Sequence, residues 1–232
     1  MSGSSGRAHG AAMRFEQHGA QHFGGVLDDI ALGRATCGLV TRPSDAPGLR
    51  LRDVGSLMSD LAAGGLIGSI AASILGPGAT PVRAVMFDKT EAMNWKLGWH
   101  QDRTIVVASR IDVDGFGPWS TKAGLQHVEP PFEVLEQMVT LRIHLDPVGM
   151  DNAPLLIAPG SHRLGRTAQT GIGDAVARCG TYACLAEAGD VWLYATAVLH
   201  ASDAAVKPTA RRVLQVDYAT GALPGGLEWA GI

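Results

Sequence analysis

Cysteine is scarce in this chain, and the scarcity narrows its chemistry. Cys37, Cys179 and Cys184 are the whole complement. That is too few for a disulfide framework, and an odd count fits a reducing compartment. Cys179 and Cys184 have a Cys-x4-Cys spacing, but no second Cys or His pair lies nearby to complete a zinc site. Two ordinary thiols are expected there. A surplus of one charge is also missing: the formal net charge of −3 gives no reason to expect nucleic acid as a partner. The arginines of the stretch 42–52 are diluted by Pro43, Asp45 and Pro47, with Asp53 following; a solvated loop and a helix start are expected. Long hydrophobic runs are absent too. The most apolar stretch, 61–75, is broken by Gly64, Gly65 and Gly68 and falls short of the ~20 residues a membrane span needs. Residues 1–6 have neither the basic nor the apolar region of a signal peptide. A flexible leader or cloning scar is expected over residues 1–12, followed by a single domain over 13–232. The expectation is a cytoplasmic protein with no membrane partner.

What remains is an ordinary globular composition, 46% apolar and 18% charged, on a chain long enough for a substantial core. Apolar spacing over 25–40 (Val26, Leu27, Ile30, Leu32, Cys37, Leu39) predicts a helix. Pro43 and Pro47 then break the chain. A second helical region is predicted over 53–75, interrupted at Gly64-Gly65 and stopped by Gly76-Pro77-Gly78. After Thr80 the period changes. Extended segments are predicted over 82–89, 99–109, 138–146, 155–158, 191–194, 198–202 and 212–218, with turn-rich pieces between them. The fold class expected is mainly β with flanking helices, a sandwich or barrel over about 80–220 packed against helices over 25–76.

The chemistry concentrates at His100-Gln101-Asp102. Side chains at i and i+2 of a strand share a face, so one ion can meet both the imidazole and the carboxylate. One more histidine from elsewhere would complete a 2-His-1-carboxylate face, the arrangement of non-haem Fe(II) oxygenases. A second pair, His144-Leu145-Asp146, competes for the role. It runs into Pro147, where Asp146 can bind turn amides instead. The first pair precedes the apolar run 105–108, an anchor that can hold ligands rigidly, and is preferred. His9, His18 and His22 fall in the leader region. His127 lies before Pro130-Pro131 and His162 beside a tight turn, and both have ready structural uses. His200 differs, because it ends an apolar strand and is followed by Ser202 and, eleven residues on, by Arg211. Adjacent antiparallel strands joined by the intervening loop would bring Ser202 and Arg211 to the far end of a metal-bound ligand. An arginine fork binds a carboxylate with roughly 1.5–3 kcal/mol per charge-assisted bond, against about 0–1 for a surface ion pair. Arg212, on the opposite face, suits the surface role.

The ordered set Phe87-Asp-Lys89, Asn94-Trp95, Trp99-His-Gln-Asp102, Gly115-Phe-Gly-Pro-Trp119, Asp151-Asn152, Pro159-Gly-Ser-His162, Gly189-Asp190, His200-Ala-Ser202 and Arg211 resembles the phytanoyl-CoA dioxygenase family over 82–219. The resemblance implies a double-stranded β-helix (a cupin-like jelly roll) and Fe(II) held by His100, Asp102 and His200. It further implies 2-oxoglutarate and O2 as co-substrates, with the distal carboxylate of 2-oxoglutarate on Arg211 and Ser202 and Gln101 beside it. Lys89 and Arg142 occupy strand positions that pattern as pocket-facing and are candidate further contacts. Related iron halogenases have a small residue in place of the carboxylate, so Asp102 favours hydroxylation or a related oxidation over halogenation; with no basic groove to recruit a polymer, a small molecule is the expected substrate. Ala153 stands where relatives often carry glycine, and the N-terminal third is short for the family and offers less of a lid. Two other readings stay open: a cupin-like metal hydrolase or isomerase, and a catalytically silent binding protein on the same scaffold.

Overall fold

The computed structural model describes residues 12–39 and 48–232. In chain order these form α1 (Phe15–His18), β1 (Ala20–Phe23), α2 (Asp29–Gly38), β2 (Leu49–Leu51), α3 (Met58–Leu61), α4 (Gly68–Leu75), β3 (Thr80–Lys89) and β4 (Leu97–His100). There follow β5 (Ile105–Val107), β6 (Trp119–Lys122), β7 (Leu125–Val128), α5 (Phe132–Glu136), β8 (Val139–His144) and β9 (Leu155–Ile157). The last elements are α6 (Ile172–Cys179), β10 (Tyr182–Cys184), β11 (Val191–Ala195), β12 (His200–Ser202) and β13 (Arg211–Ala219). Three antiparallel sheets result, in the orders β1-β11-β8-β13-β3-β2, β10-β9-β12-β4 and β5-β7-β6. The architecture is a jelly roll with helices against the outer face of the six-stranded sheet. Among the described residues no helix is long and apolar enough to cross a membrane.

Strand alternation explains why helices cover one face and a polar chamber forms on the other. Leu141 and Ile143 of β8, Ala84 and Met86 of β3, and Leu214 and Val216 of β13 pack in one cluster with Leu57, Leu61, Ile67 and Ile70 of the helical layer. Burying each such side chain is worth ~1.5–3 kcal/mol. The alternate residues, Thr140, Arg142 and His144, Arg83, Val85, Phe87 and Lys89, and Arg211, Gln215 and Asp217, share the opposite face. Most are polar and nearly all are buried.

Several expected elements differ in extent. The helix expected over 25–40 is α2, shorter at its start and capped by Asp28 accepting from Ala31 N at 2.8 Å. The region 53–75 is a 3-10 turn, α3 and α4. The break between α3 and α4 depends on Gly65 and Gly68, where an added Cβ would come within 2.2 Å of Ser59 O and 2.1 Å of Ala62 O. Residues 49–51 form the edge strand β2, where a helix start was expected, and Pro43, Pro47 and residues 1–11 lie outside the described residues. The single strand expected over 99–109 is two, β4 and β5, with no regular secondary structure over 101–104. His22, expected in a leader, lies in β1; its Nε2 is 2.9 Å from Asp190 Oδ2 and its ring stacks on Trp192. The hairpin β6–β7, strand β10 and helix α6 were not foreseen.

Candidate metal centre

Strands β4 and β12 pair with His100 directly opposite His200, and their ring centroids lie 4.2 Å apart. Each ring is oriented by its own backbone: His100 Nδ1–H donates to Gly98 O at 2.8 Å and His200 Nδ1–H to Val198 O at 3.0 Å. Those bonds select the tautomer that leaves Nε2 as a lone pair, the usual preparation of a metal-binding histidine. Burial, then the neighbouring His100 ring, pulls the His200 pKa down to about 4, so the ring is neutral near pH 7. Asp102 lies on the short link between β4 and β5. The link is pinned by the β4–β12 pairing before it and by the fully buried Ile105, Val106 and Val107 after it. Donor atoms of His100, Asp102 and His200 all lie within 4.8 Å of one another. Asp102 Oδ2 is buried without a hydrogen bond, an acceptor available to a cation. Two imidazoles and one carboxylate fit a divalent first-row metal.

Arg83, not foreseen as a site residue, holds the carboxylate in place. Its Nη2 lies 3.5 Å from Asp102 Oδ2 and its Nε 2.5 Å from Asp217 Oδ2. Burial alone would raise the Asp102 pKa, but Arg83 and the two histidines outweigh it and the net direction is downward. Asp217 also accepts from Thr140 Oγ1 at 3.0 Å. The sequence signal for Arg83 was its place on the Lys89 face of β3; its partner Asp217 is remote in the chain.

A cavity of about 510 Å³ opens beside the three donors, lined also by Phe87, Trp95, Leu155 and a group of cations. Arg211 is 2% exposed and its Nε has no hydrogen-bond partner. Among the described residues no carboxylate lies within ion-pair distance of it. Burial, then Arg142, lowers its pKa to about 9. Lys89 Nζ donates to Ser202 Oγ at 3.3 Å and Asp203 O at 2.8 Å, with Trp95 4.9 Å away. Burial, then Arg211 and Arg142, brings the Lys89 pKa to about 8. Ser202 Oγ in turn donates to Ala153 O at 3.3 Å. Ala153, the departure from glycine, has a φ of 51°, where a side chain is strained by ~1–2 kcal/mol. Arg142 Nη1 donates to Gln215 Oε1 at 3.1 Å and its guanidinium lies over Phe87.

Some expected placements are corrected. Ser202 and Arg211 do come to one cavity, but β12 and β13 belong to different sheets. The loop between them crosses the sandwich, whereas hydrogen-bonded neighbours were expected. Gln101 does not line the cavity. Its Nε2 donates to Gly165 O and Ala197 O and its Oε1 accepts from Thr167 N, so it ties together the loops that carry residues 165–167 and 197. Asp146 does not bind turn amides after Pro147. It accepts from Arg212 N, Nε and Nη2 at 2.7–2.8 Å. His144 is buried apart from the three donors, with both ring nitrogens unpartnered; burial brings its pKa to about 3.

The fold is a jelly roll that brings two histidines and an aspartate together as a candidate metal-binding set. The phytanoyl-CoA dioxygenase (PhyH) family matches residues 66–213, more than half of the chain, and the chain belongs to that family. Among solved structures, AviO1 from Streptomyces viridochromogenes Tue57 is similar at a TM-score of 0.63 and 22% identity, covering 91% of this chain and 94% of that one. EctD from S. alaskensis with 2-oxoglutarate and 5-hydroxyectoine gives 0.66 at 17% identity, over 94% and 77%. The non-heme alpha ketoglutarate dependent epimerase SnoN from nogalamycin biosynthesis gives 0.63 at 18%, over 90% and 79%. No curated protein matches the chain.

Proposed function

We propose that the protein is an Fe(II)- and 2-oxoglutarate-dependent oxygenase that hydroxylates an unactivated C–H bond of a small molecule. One O2 and one 2-oxoglutarate would be consumed per substrate hydroxylated, with succinate and CO2 as co-products. The observation that carries this reading is the pairing, in one cavity, of three converging donors with a buried guanidinium that, among the described residues, has no acid within ion-pair distance. A hydrolase or isomerase using the same ligands would have no need of that guanidinium. EctD, similar in fold, has been solved with bound Fe and with 2-oxoglutarate.

His100, Asp102 and His200 would hold the metal, leaving half of its coordination sphere for exchangeable ligands. Iron there supplies oxygen activation and the oxidising power for C–H cleavage. The chain's own residues bind and orient. Arg211 and Ser202 anchor the distal carboxylate of 2-oxoglutarate, and Lys89 and Arg142 add positive charge around it. Phe87, Trp95 and Leu155 wall the chamber and keep water from it. Arg83 holds the Asp102 carboxylate so that one geometry is presented to the ion.

The test is oxygen-dependent succinate formation by Fe(II)-loaded protein across a panel of small carboxylic acids, amino acids and natural-product intermediates. Product mass separates hydroxylation, which adds one oxygen atom, from epimerisation, which leaves the mass unchanged. Asp102→Ala is expected to weaken metal binding by at least about a hundredfold, since even outer-shell changes cost about 10–100-fold, and to abolish turnover. Succinate release from that variant at the wild-type rate refutes the assignment.

A further inference from the structure

The charges around the cavity do not balance, even after the proposed metal and co-substrate are counted. Among its cations, Arg83 is paired with Asp102 and Asp217, and Lys96 with Asp203 at 2.7 Å. Iron(II), Asp102 and the metal-bound end of 2-oxoglutarate would neutralise one another. The distal carboxylate would offset one of the three cations Arg211, Lys89 and Arg142 that surround it, so that end of the cavity keeps a positive surplus. Arg50 adds to the surplus at a different place. It lines the cavity, its Nε is buried without a hydrogen-bond partner, and among the described residues it has no acid within ion-pair distance. Burial and the like charge of Arg83 both lower its pKa, so the protein holds this cation at a cost. A half-buried cation beside another cation calls for an anion from outside.

Register places Arg50 away from the co-substrate end. Arg50 is opposite Val85, and Arg211 is opposite Lys89 on the other side of β3. From Val85 to Lys89 is about 13 Å along the strand, and β2 and β13 are separated by about 10 Å across the sheet. Between the two positions lie Val85 and Phe87, an apolar floor. Arg83, which touches the metal ligand Asp102, is only two residues from Val85 on the same face of β3. A molecule held at Arg50 therefore has its remaining atoms on the metal's side of the chamber.

We propose that the substrate is itself an acid, whose carboxylate or phosphate group docks on Arg50 at the β2 edge while its carbon skeleton lies over Val85 and Phe87 toward the metal. This rests on the oxygenase reading given above. The experiment uses full-length protein with Fe(II) and saturating 2-oxoglutarate, without oxygen. It is titrated by calorimetry with inorganic phosphate in one arm and acetate in the other. Wild type is expected to bind at least one anion, and the tighter arm names the acid class. Arg50→Met should raise that dissociation constant at least tenfold and Arg50→Lys should recover part of the loss, with 2-oxoglutarate affinity unchanged within twofold. Among the described residues Arg50 makes no ion pair and its charge is held at a cost, so Arg50→Met should melt at or above the wild-type temperature, which separates lost binding from lost fold. Absence of binding in both arms, or equal binding by wild type and Arg50→Met, overturns the proposal. Failure of 2-oxoglutarate to bind would instead overturn the oxygenase reading, and repeating the anion titrations without it still reports on Arg50.

Discussion

Replacing Arg211 by methionine should move two measurements in opposite directions. The residue is 2% exposed, its Nε has no hydrogen-bond partner among the described residues, and methionine keeps much of its apolar stem while deleting the fork. If 2-oxoglutarate is anchored there, the variant loses charge-assisted bonds worth ~1.5–3 kcal/mol, which converts to a dissociation constant higher by roughly ten- to 150-fold. Anaerobic titration of Fe(II)-loaded protein, followed by tryptophan fluorescence, measures it. The protein without co-substrate should respond the other way. Burial and then Arg142 hold the Arg211 pKa at about 9, below its ordinary 12.5, so the folded state disfavours the charged form. Below about pH 9 that destabilisation is fully present, and it fades as pH rises from about 9 toward 12.5. At pH 7 the variant should therefore melt higher than wild type, by ~2–4 °C for each kcal/mol recovered in a chain of this size. A lower melting temperature would mean that Arg211 has a stabilising partner, and an unchanged 2-oxoglutarate affinity that the anchor is elsewhere. Either result refutes the reasoning.

Other perturbations test neighbouring parts of the site. Arg83→Met strands Asp217 as a buried acid and should cost ~3–5 kcal/mol in denaturant unfolding; Arg83→Met with Asp217→Asn should recover much of it. Lys89, with a pKa near 8 in the free protein, gains a carboxylate neighbour when 2-oxoglutarate binds, which raises that value. Binding then takes up a proton above about pH 8, so affinity should fall as pH rises beyond 8 and stay flat below it; Lys89→Met should keep the profile flat up to about pH 9, where Arg211 begins to titrate. Gln101→Ala removes three hydrogen bonds to backbone and leaves buried groups unpaired, costing ~1–3 kcal/mol. Faster hydrogen exchange at the Thr167 amide would report it.

The three converging donors were legible because two strong local signals coincide. An i, i+2 pair precedes a buried β run, and a lone histidine closes an apolar strand. The polar face of the main sheet was legible as well, since alternation separates Thr140, Arg142 and His144 from Leu141 and Ile143. What escaped notice depends on contacts remote in sequence. Arg83 reads as any strand arginine until Asp102 and Asp217 are brought to it. Gln101 was assigned to the co-substrate by its place in a motif, while the loops that occupy its amide come from 165–167 and 197. Strand β1 is four residues long and its partner is β11, so no local pattern announced it. The sheet membership of β12 and β13 was misjudged because sequence neighbours usually pair; here the connecting loop changes sheets.

That change of sheets has a consequence for which molecules can be accepted. His100 and His200 hang from one leaf of the sandwich and Arg211 from the other, so under the proposed function the gap between leaves would act as a gauge for the length of any diacid that bridges them. Leu155, Trp192 and Tyr194 belong to the packing that keeps the leaves apart. Trimming Tyr194 or Trp192 would narrow the gauge and favour a shorter diacid, with the residues that grip its ends left unchanged.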